Sequence, residues 1–202
     1  MAALSAQILE EAGRRPEGYL LAAKEFLALG KRAAVDQALR RLVRRGELVK
    51  ITRGRYALPV RSRFGTRPPA PELVMAHLQD ELGEPLVSSG VAAANALGLT
   101  TQMPVQQSFL SRTRSRKRYC FGEQEITLQQ APRWQFLLAD RPAGQAIRAL
   151  AWLGPDQACA ALPRLRSALP AEEWDALLAA RAKLPTWIVE VLNQHEAQTS
   201  CG

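Results

Sequence analysis

Residues 31–59, KRAAVDQALRRLVRRGELVKITRGRYALP, decide how this chain is read. Val35, Ala38, Leu39, Leu42 and Val43 recur at i, i+3, i+4, i+7 and i+8, one apolar stripe of helical period. Lys31, Arg32, Asp36, Gln37, Arg40, Arg41 and Arg44 fill the remaining faces. Gly46 follows two arginines, where a left-handed cap suits glycine and late cations suit the helix dipole. Residues 48–51 (LVKI) and 55–58 (RYAL) then predict two short strands around Thr52-Arg53-Gly54, a tight turn. A positive helix followed by a positive hairpin is the layout of a winged helix-turn-helix.

Working backwards, residues 4–12 predict a first helix with Leu4, Ile8 and Leu9 on one side. Residues 22–27 predict a second, and Leu29-Gly30 the turn into the third. Three helices closed by a hairpin are complete by Pro59, about the smallest size for an independent domain. Residues 61–71 carry arginines and prolines without period, the pattern of a semi-extended linker.

Beyond the linker, residues 72–82 predict an amphipathic helix with Leu73, Ala76, His77 and Leu82 directed inward. Ser88-Ser89-Gly90 caps an alanine-rich one. Residues 104–111, 117–121 and 125–129 predict three strands. From Pro132 the chain reads as helices: 133–139, 143–154, 156–169, 171–184 and 186–194, with prolines near their starts and a frayed polar tail after His195. The expected fold class is α+β: a winged domain at 1–60, a linker at 61–71, and a mixed α+β domain at 72–198 with a small antiparallel sheet and several helices.

Charge separates the two halves. The net charge of +8 is uneven: residues 1–67 hold 15 Lys or Arg against 6 Asp or Glu, and residues 68–202 hold 12 against 13. The excess on the N-terminal third is the footprint expected for a polyanion partner. Composition alone leaves open a merely soluble arginine-rich surface, and the helix–hairpin layout tips the balance. Cys120, Cys159 and Cys201 are odd in number and unpaired in spacing, which fits a reducing cytosol rather than a disulfide framework or zinc site. With no signal-peptide pattern and no apolar run of about 18 residues, a cytoplasmic protein without membrane attachment is expected.

The chain resembles the AbiEi-type antitoxins, the transcriptional regulators of type IV abortive-infection toxin–antitoxin systems. The resemblance covers AAVDQALRRLVRRGELVKITRGRYALP, then VSSGVAAANALGLTTQMP, then QQSFLSRTRSRKRYCFG. RGRYALP combined with SSGVAAANALGLTTQMP is its specific part, and the last 50 or so residues match loosely. It implies an N-terminal domain that binds its own promoter and represses its operon. It also implies a C-terminal domain that neutralises a nucleotidyltransferase-like toxin encoded nearby.

In helix-turn-helix docking the early recognition helix meets base edges and its flanks meet phosphates. Lys31, Arg32, Asp36, Gln37 and Arg40 are the base-reading candidates: Arg32 or Arg40 for guanine, Gln37 for adenine, Asp36 for cytosine. Arg41 and Arg44 suit phosphates or solvent, and Lys50, Arg53 and Arg55 belong to the wing, with Arg53 placed to enter a minor groove. Inverted repeats bound by a monomer or a dimer are both open. A second run, Arg112, Arg114, Arg116, Lys117 and Arg118, lies between two predicted strands. If extended, its arginines share one face, which suits nucleic acid or an acidic partner as well as it suits a solvated loop. An interaction protein binding RNA or an acidic partner through that run, with no specific operator, is the alternative reading.

Catalysis finds little support. His77 lies on an apolar helix face and His195 in the tail. Glu123 and Glu125 resemble an acidic metal pair, but the only lysine beyond them is Lys183, far away in a predicted helix. No enzyme, cofactor or metal is expected. The four tryptophans (Trp134, Trp152, Trp174, Trp187) fall in the C-terminal helices and read as core.

Overall fold

The structure is a computed structural model that describes residues 4–63, 65–102, 106–113 and 116–200. It is α+β, with seven α-helices among the described residues and small sheets. The chain divides into two compact units, residues 1–84 with 118–126, and residues 85–117 with 127–202. The division expected at residues 60 and 72 does not coincide with these limits.

In the first unit, α1 (Leu4–Gly13) and α2 (Arg32–Arg44) pack together, with β1 (Leu21–Ala22) and a 3₁₀ turn (Ala23–Phe26) between them in sequence. The second predicted helix is thus a single short turn; the Glu25 carboxylate accepts the Ala22 N–H at 2.6 Å and closes it. The stripe on α2 is buried as its period requires: Val35, Ala38, Leu39 and Leu42 are fully covered, meeting Ile8, Ala12, Leu21, Phe26 and Leu48. Burial of one such leucine stabilises the unit by roughly 1.5–3 kcal/mol. α2 stops at Gly46 (φ 70°), where the Gly46 N–H reaches the Val43 carbonyl and the Glu47 N–H the Leu42 carbonyl, at 3.0 and 2.9 Å. That paired closure needs the left-handed residue glycine provides.

β2 (Val49–Thr52) and β3 (Arg55–Ala57) form the hairpin, and β1 adds to the far side of β3. Thr52 faces Arg55 across the two-residue turn Arg53-Gly54, with Gly54 at φ 73°. A register shift between Lys50 and Thr52 marks a bulge at the buried Ile51.

Residues 61–71 do not run as a bare linker. β4 (Val60–Ser62) pairs with β5 (Gly65–Arg67) in a two-stranded ribbon, whose three-residue strands are too short to show an alternation in sequence. Glu17 accepts the Ala70 N–H at 3.0 Å and lies 3.4 Å from the Arg67 guanidinium, which ties the segment down. α3 (Pro71–Leu82) follows, ended by Gly83 at φ 61°. Its buried side is Val74, Met75 and Leu78, while Leu73 and Ala76, expected inside, are exposed. Contacts from far along the chain meet this helix: Gly18 packs against the backbone of Leu73, closer than any side chain would permit, and Tyr19 meets His77 with ring centroids 4.4 Å apart. His77 is half-buried.

In the second unit, β6 (Val87–Ser88) pairs antiparallel with β7 (Gln107–Ser111). β8 (Lys117–Phe121) and β9 (Gln124–Gln130) follow in sequence; residues 118–126 belong to the first unit, Lys117 and residues 127–130 to the second. Residues 104 and 105, included in the first predicted strand, lie outside the described residues. α4 (Gly90–Ala96) packs through Ala93 and Ala94 on Ala149 of α5 (Pro142–Ala168). α5 is two helical segments broken at Gly154 (φ 74°, ψ 172°) before Pro155, as the two separate periodic runs implied. Pro163 lies inside the later segment rather than near its start.

Residues 133–139 hold only a 3₁₀ turn (Arg133–Phe136), because Leu137 is extended and Leu138 has φ 52°. α6 (Ala171–Ala180) gives way to another turn at Arg181–Lys183, and α7 runs from Thr186 to Ser200. The expected fraying after His195 is therefore replaced by helix; Trp174 donates its indole N–H to Glu196 at 3.2 Å and meets the His195 ring edge-on. Trp174 is core, Trp134 and Trp187 are partly buried against it, and Trp152 is exposed.

Candidate functional site

The outward face of α2 and the hairpin enclose one open basin in the first unit. Arg32, Asp36, Gln37, Arg40, Val43 and Arg44 form one wall; Lys50, Arg53, Gly54 and Tyr56 form the other. The helix wall follows from the fold of the stripe. With Val35, Leu39 and Leu42 turned inward, the i+4 row Arg32, Asp36, Arg40 and Arg44 must face out. The hairpin wall follows from strand alternation: Lys50 stands opposite Tyr56, so both side chains share one face, while Ile51 and Ala57 are buried.

Five cationic side chains line this basin against one acid, Asp36. Asp36 accepts from the Arg32 Nε at 3.0 Å across one helical turn, both side chains being solvent-exposed. Such an exposed pair contributes little to stability, about 0.3–0.5 kcal/mol. Its consequence is positional, since it draws Arg32 along the helix toward the centre of the row.

Of the ten predicted DNA-contact residues, Arg32, Asp36, Gln37, Arg40, Arg44, Lys50 and Arg53 come together in the basin. Lys31 occupies the N-cap of α2 and Arg41 is exposed on α2; neither lines it. Arg55 is turned away, paired with Glu81 and donating to the Leu20 carbonyl. Val43 and Tyr56 were not among the predicted contacts. Val43 had been counted as core but is only half-buried at the edge of the stripe, and Tyr56 was detectable as the partner of Lys50 once the hairpin register is drawn.

The described residues of the second basic run that precede β8 are not in a strand. β8 begins only at Lys117, and Arg112, Thr113 and Arg116 lie in bends before it. Arg114 lies outside the described residues. Within β8, Tyr119 and Phe121 are buried and Arg118 points out, 3.9 Å from Glu125. The Arg112 carbonyl accepts from the Gln130 side chain at 3.3 Å.

Among the described residues no three or more of His, Cys, Asp and Glu stand together as a metal site. Cys120 and Cys159 are free, exposed thiols. No helix among them is long and apolar enough to cross a membrane.

An α+β chain with a cationic helix–hairpin basin in its first unit is the class these observations define. A family model described as a family of unknown function, DUF6088, matches residues 7–165, and the protein belongs to that family. Comparison with curated proteins finds no match.

Proposed function

We propose that the first unit is a winged helix-turn-helix that binds double-stranded DNA, and that the protein represses its own operon as the antitoxin of a type IV pair. The observation that carries the DNA reading is the basin. Arg32, Arg40 and Arg44 on α2 and Lys50 and Arg53 on the hairpin converge on one concave surface. A recognition helix with a wing needs that distribution: donors for base edges on the helix and cations for phosphates on both flanks. α2, at about 20 Å of length for its thirteen residues, is long enough to lie along a major groove.

Arg40 and Gln37 take the base-reading role, Arg44 and Lys50 hold phosphates, and Arg53 at the hairpin tip enters the neighbouring minor groove. The operator is an inverted repeat in the protein's own promoter. The resemblance to AbiEi-type antitoxins supplies the biological setting, with a nucleotidyltransferase-like toxin encoded nearby as the second partner. Catalysis has no part in this reading.

The test is binding to the DNA upstream of its own gene against scrambled DNA over a salt series. Preference for the native fragment that survives physiological salt, and that falls at least tenfold with Arg40→Ala, is expected. Equal binding to both fragments, collapsing with the steep salt dependence of counterion release, overturns the repressor reading.

A further inference from the structure

α5 carries an arginine into the core of the second unit. Arg148 is 2 % exposed, and its only hydrogen bonds among the described residues are two long ones. They run to the carbonyls of Gln135 and Ala139, at 3.5 and 3.4 Å. Among the described residues its Nε–H has no partner. Ser89, 8 % exposed, stands at the N-cap of α4, yet its side chain makes no capping bond and its Oγ is likewise unpartnered.

These two groups line the same cavity, of about 290 Å³. Val91, Leu110, Ala151 and Trp152 supply apolar wall, and no acidic side chain lines it. Trp152 lines the cavity and is exposed, whereas Arg148, Ala149 and Leu150 before it are buried, which places an aromatic ring at the mouth. Burial pulls the Arg148 guanidinium down to about 10 against the opposing field of Asp140. A buried cation with an unused N–H beside an unused hydroxyl lacks an acceptor.

We infer that this cavity is a binding site for a small carboxylate with an apolar body, held by the Arg148 Nε–H and the Ser89 hydroxyl with its body against Trp152. One buried cation compensates one negative charge, which favours a carboxylate over a phosphate dianion that demands more charge and more donors. The volume corresponds to about ten waters at ~30 Å³ each, room for an acid of one ring rather than a nucleotide. The inference is independent of the DNA reading, since every residue in it belongs to the second unit.

The probe is benzoate, titrated calorimetrically into the full-length protein, with acetate and inorganic phosphate alongside. Saturable one-to-one binding of benzoate at sub-millimolar affinity is expected, with acetate weaker and phosphate weaker still. Ser89→Ala is the decisive variant. Its hydroxyl bonds nothing among the described residues, so melting should be unchanged while benzoate affinity falls about tenfold. Trp152→Leu should weaken benzoate but not acetate, a second readout independent of Ser89. Absence of saturation at about 10 mM benzoate, Ser89→Ala binding as well as the parent, or phosphate binding more tightly than benzoate would each overturn the site.

Discussion

Arg55 on β3 is held by Glu81 on α3: their side chains form an ion pair, and the same guanidinium donates to the Leu20 carbonyl at 3.2 Å. Arg53, two residues earlier in the same hairpin, lines the cationic basin instead. One arginine therefore fastens β3 within its unit, and the other is presented to solvent. Composition cannot distinguish them.

Their variants should separate accordingly. Arg53→Ala should weaken binding to upstream DNA several-fold, lower the salt slope by about 0.9, and leave melting unchanged. Arg55→Ala loses a partly buried pair and a hydrogen bond, together about 1–2 kcal/mol, so its melting temperature should fall by about 2–8 °C. Parallel DNA titrations and thermal melts check both. Equal loss of DNA affinity in both variants, with melting unaltered in either, would contradict the assignment.

Glu173 on α6 reaches the start of α5, accepting the Ala143 N–H at 3.0 Å and pairing with Arg141 at 2.9 Å. The Ala143 N–H first, and then the Arg141 guanidinium, hold its carboxyl below the ordinary range. A folded value below the unfolded one, about 4.3, gives stability that is present above that pH and lost as pH falls through the folded value. The melting temperature should therefore drop as the solution is taken below about pH 4. Glu173→Gln should melt lower at neutral pH and show a flatter acid limb. A variant curve running parallel to the parent's would show that this carboxylate does not carry the acid sensitivity.

Two glycines are fixed by contact rather than by dihedral angle. A Cβ on Gly90 would stand 2.5 Å from both the Arg148 carbonyl oxygen and the Trp152 Cβ, and one on Gly144 would overlap the Leu138 carbonyl. Gly46 is the opposite case, with φ 70° and open space around it. Gly46→Ala should cost about 1 kcal/mol. Gly90→Ala and Gly144→Ala force backbone apart and should cost about 3 kcal/mol or more. Thermal melts of the three variants give the ranking, and a Gly90→Ala protein as stable as Gly46→Ala would mean that α4 and α5 can separate freely.

The sequence carries local periodicity well and long-range pairing poorly. The α2 stripe, its glycine stop and the hairpin turn were legible because each is specified within a few residues of itself. The β4–β5 ribbon was not, since three-residue strands leave no alternation to count. Nor was the buried side of α3, which is set by the approach of Gly18 to Leu73, more than fifty residues away. Five basin residues on α2 were legible for the same reason the helix was: whatever a stripe does not bury must face outward; Lys50 and Arg53 followed from the hairpin turn. Arg55 was misplaced because its partner, Glu81, lies on another element. Arg148 was invisible, as an arginine in an alanine-rich helix reads as surface until its neighbours are known.

Asp36 gives the sharpest test of how the basin discriminates. It is the one acid among the basin's side chains, and it holds the Arg32 Nε at 3.0 Å. Repulsion between its carboxylate and phosphate opposes indiscriminate binding, while its contact with Arg32 restrains a cation that would otherwise reach any backbone. Asp36→Ala removes both restraints. Its affinity for scrambled DNA should rise, with a salt slope steeper by about 0.9 as Arg32 takes up a phosphate. Affinity for the native fragment should rise less or fall, because a base-edge acceptor is lost, worth about 1–3 kcal/mol of discrimination where it is used. The ratio of the two affinities should therefore narrow. Filter binding of both fragments at three salt concentrations measures it, and a ratio that stays constant or widens would show that Asp36 only balances charge on the surface of α2.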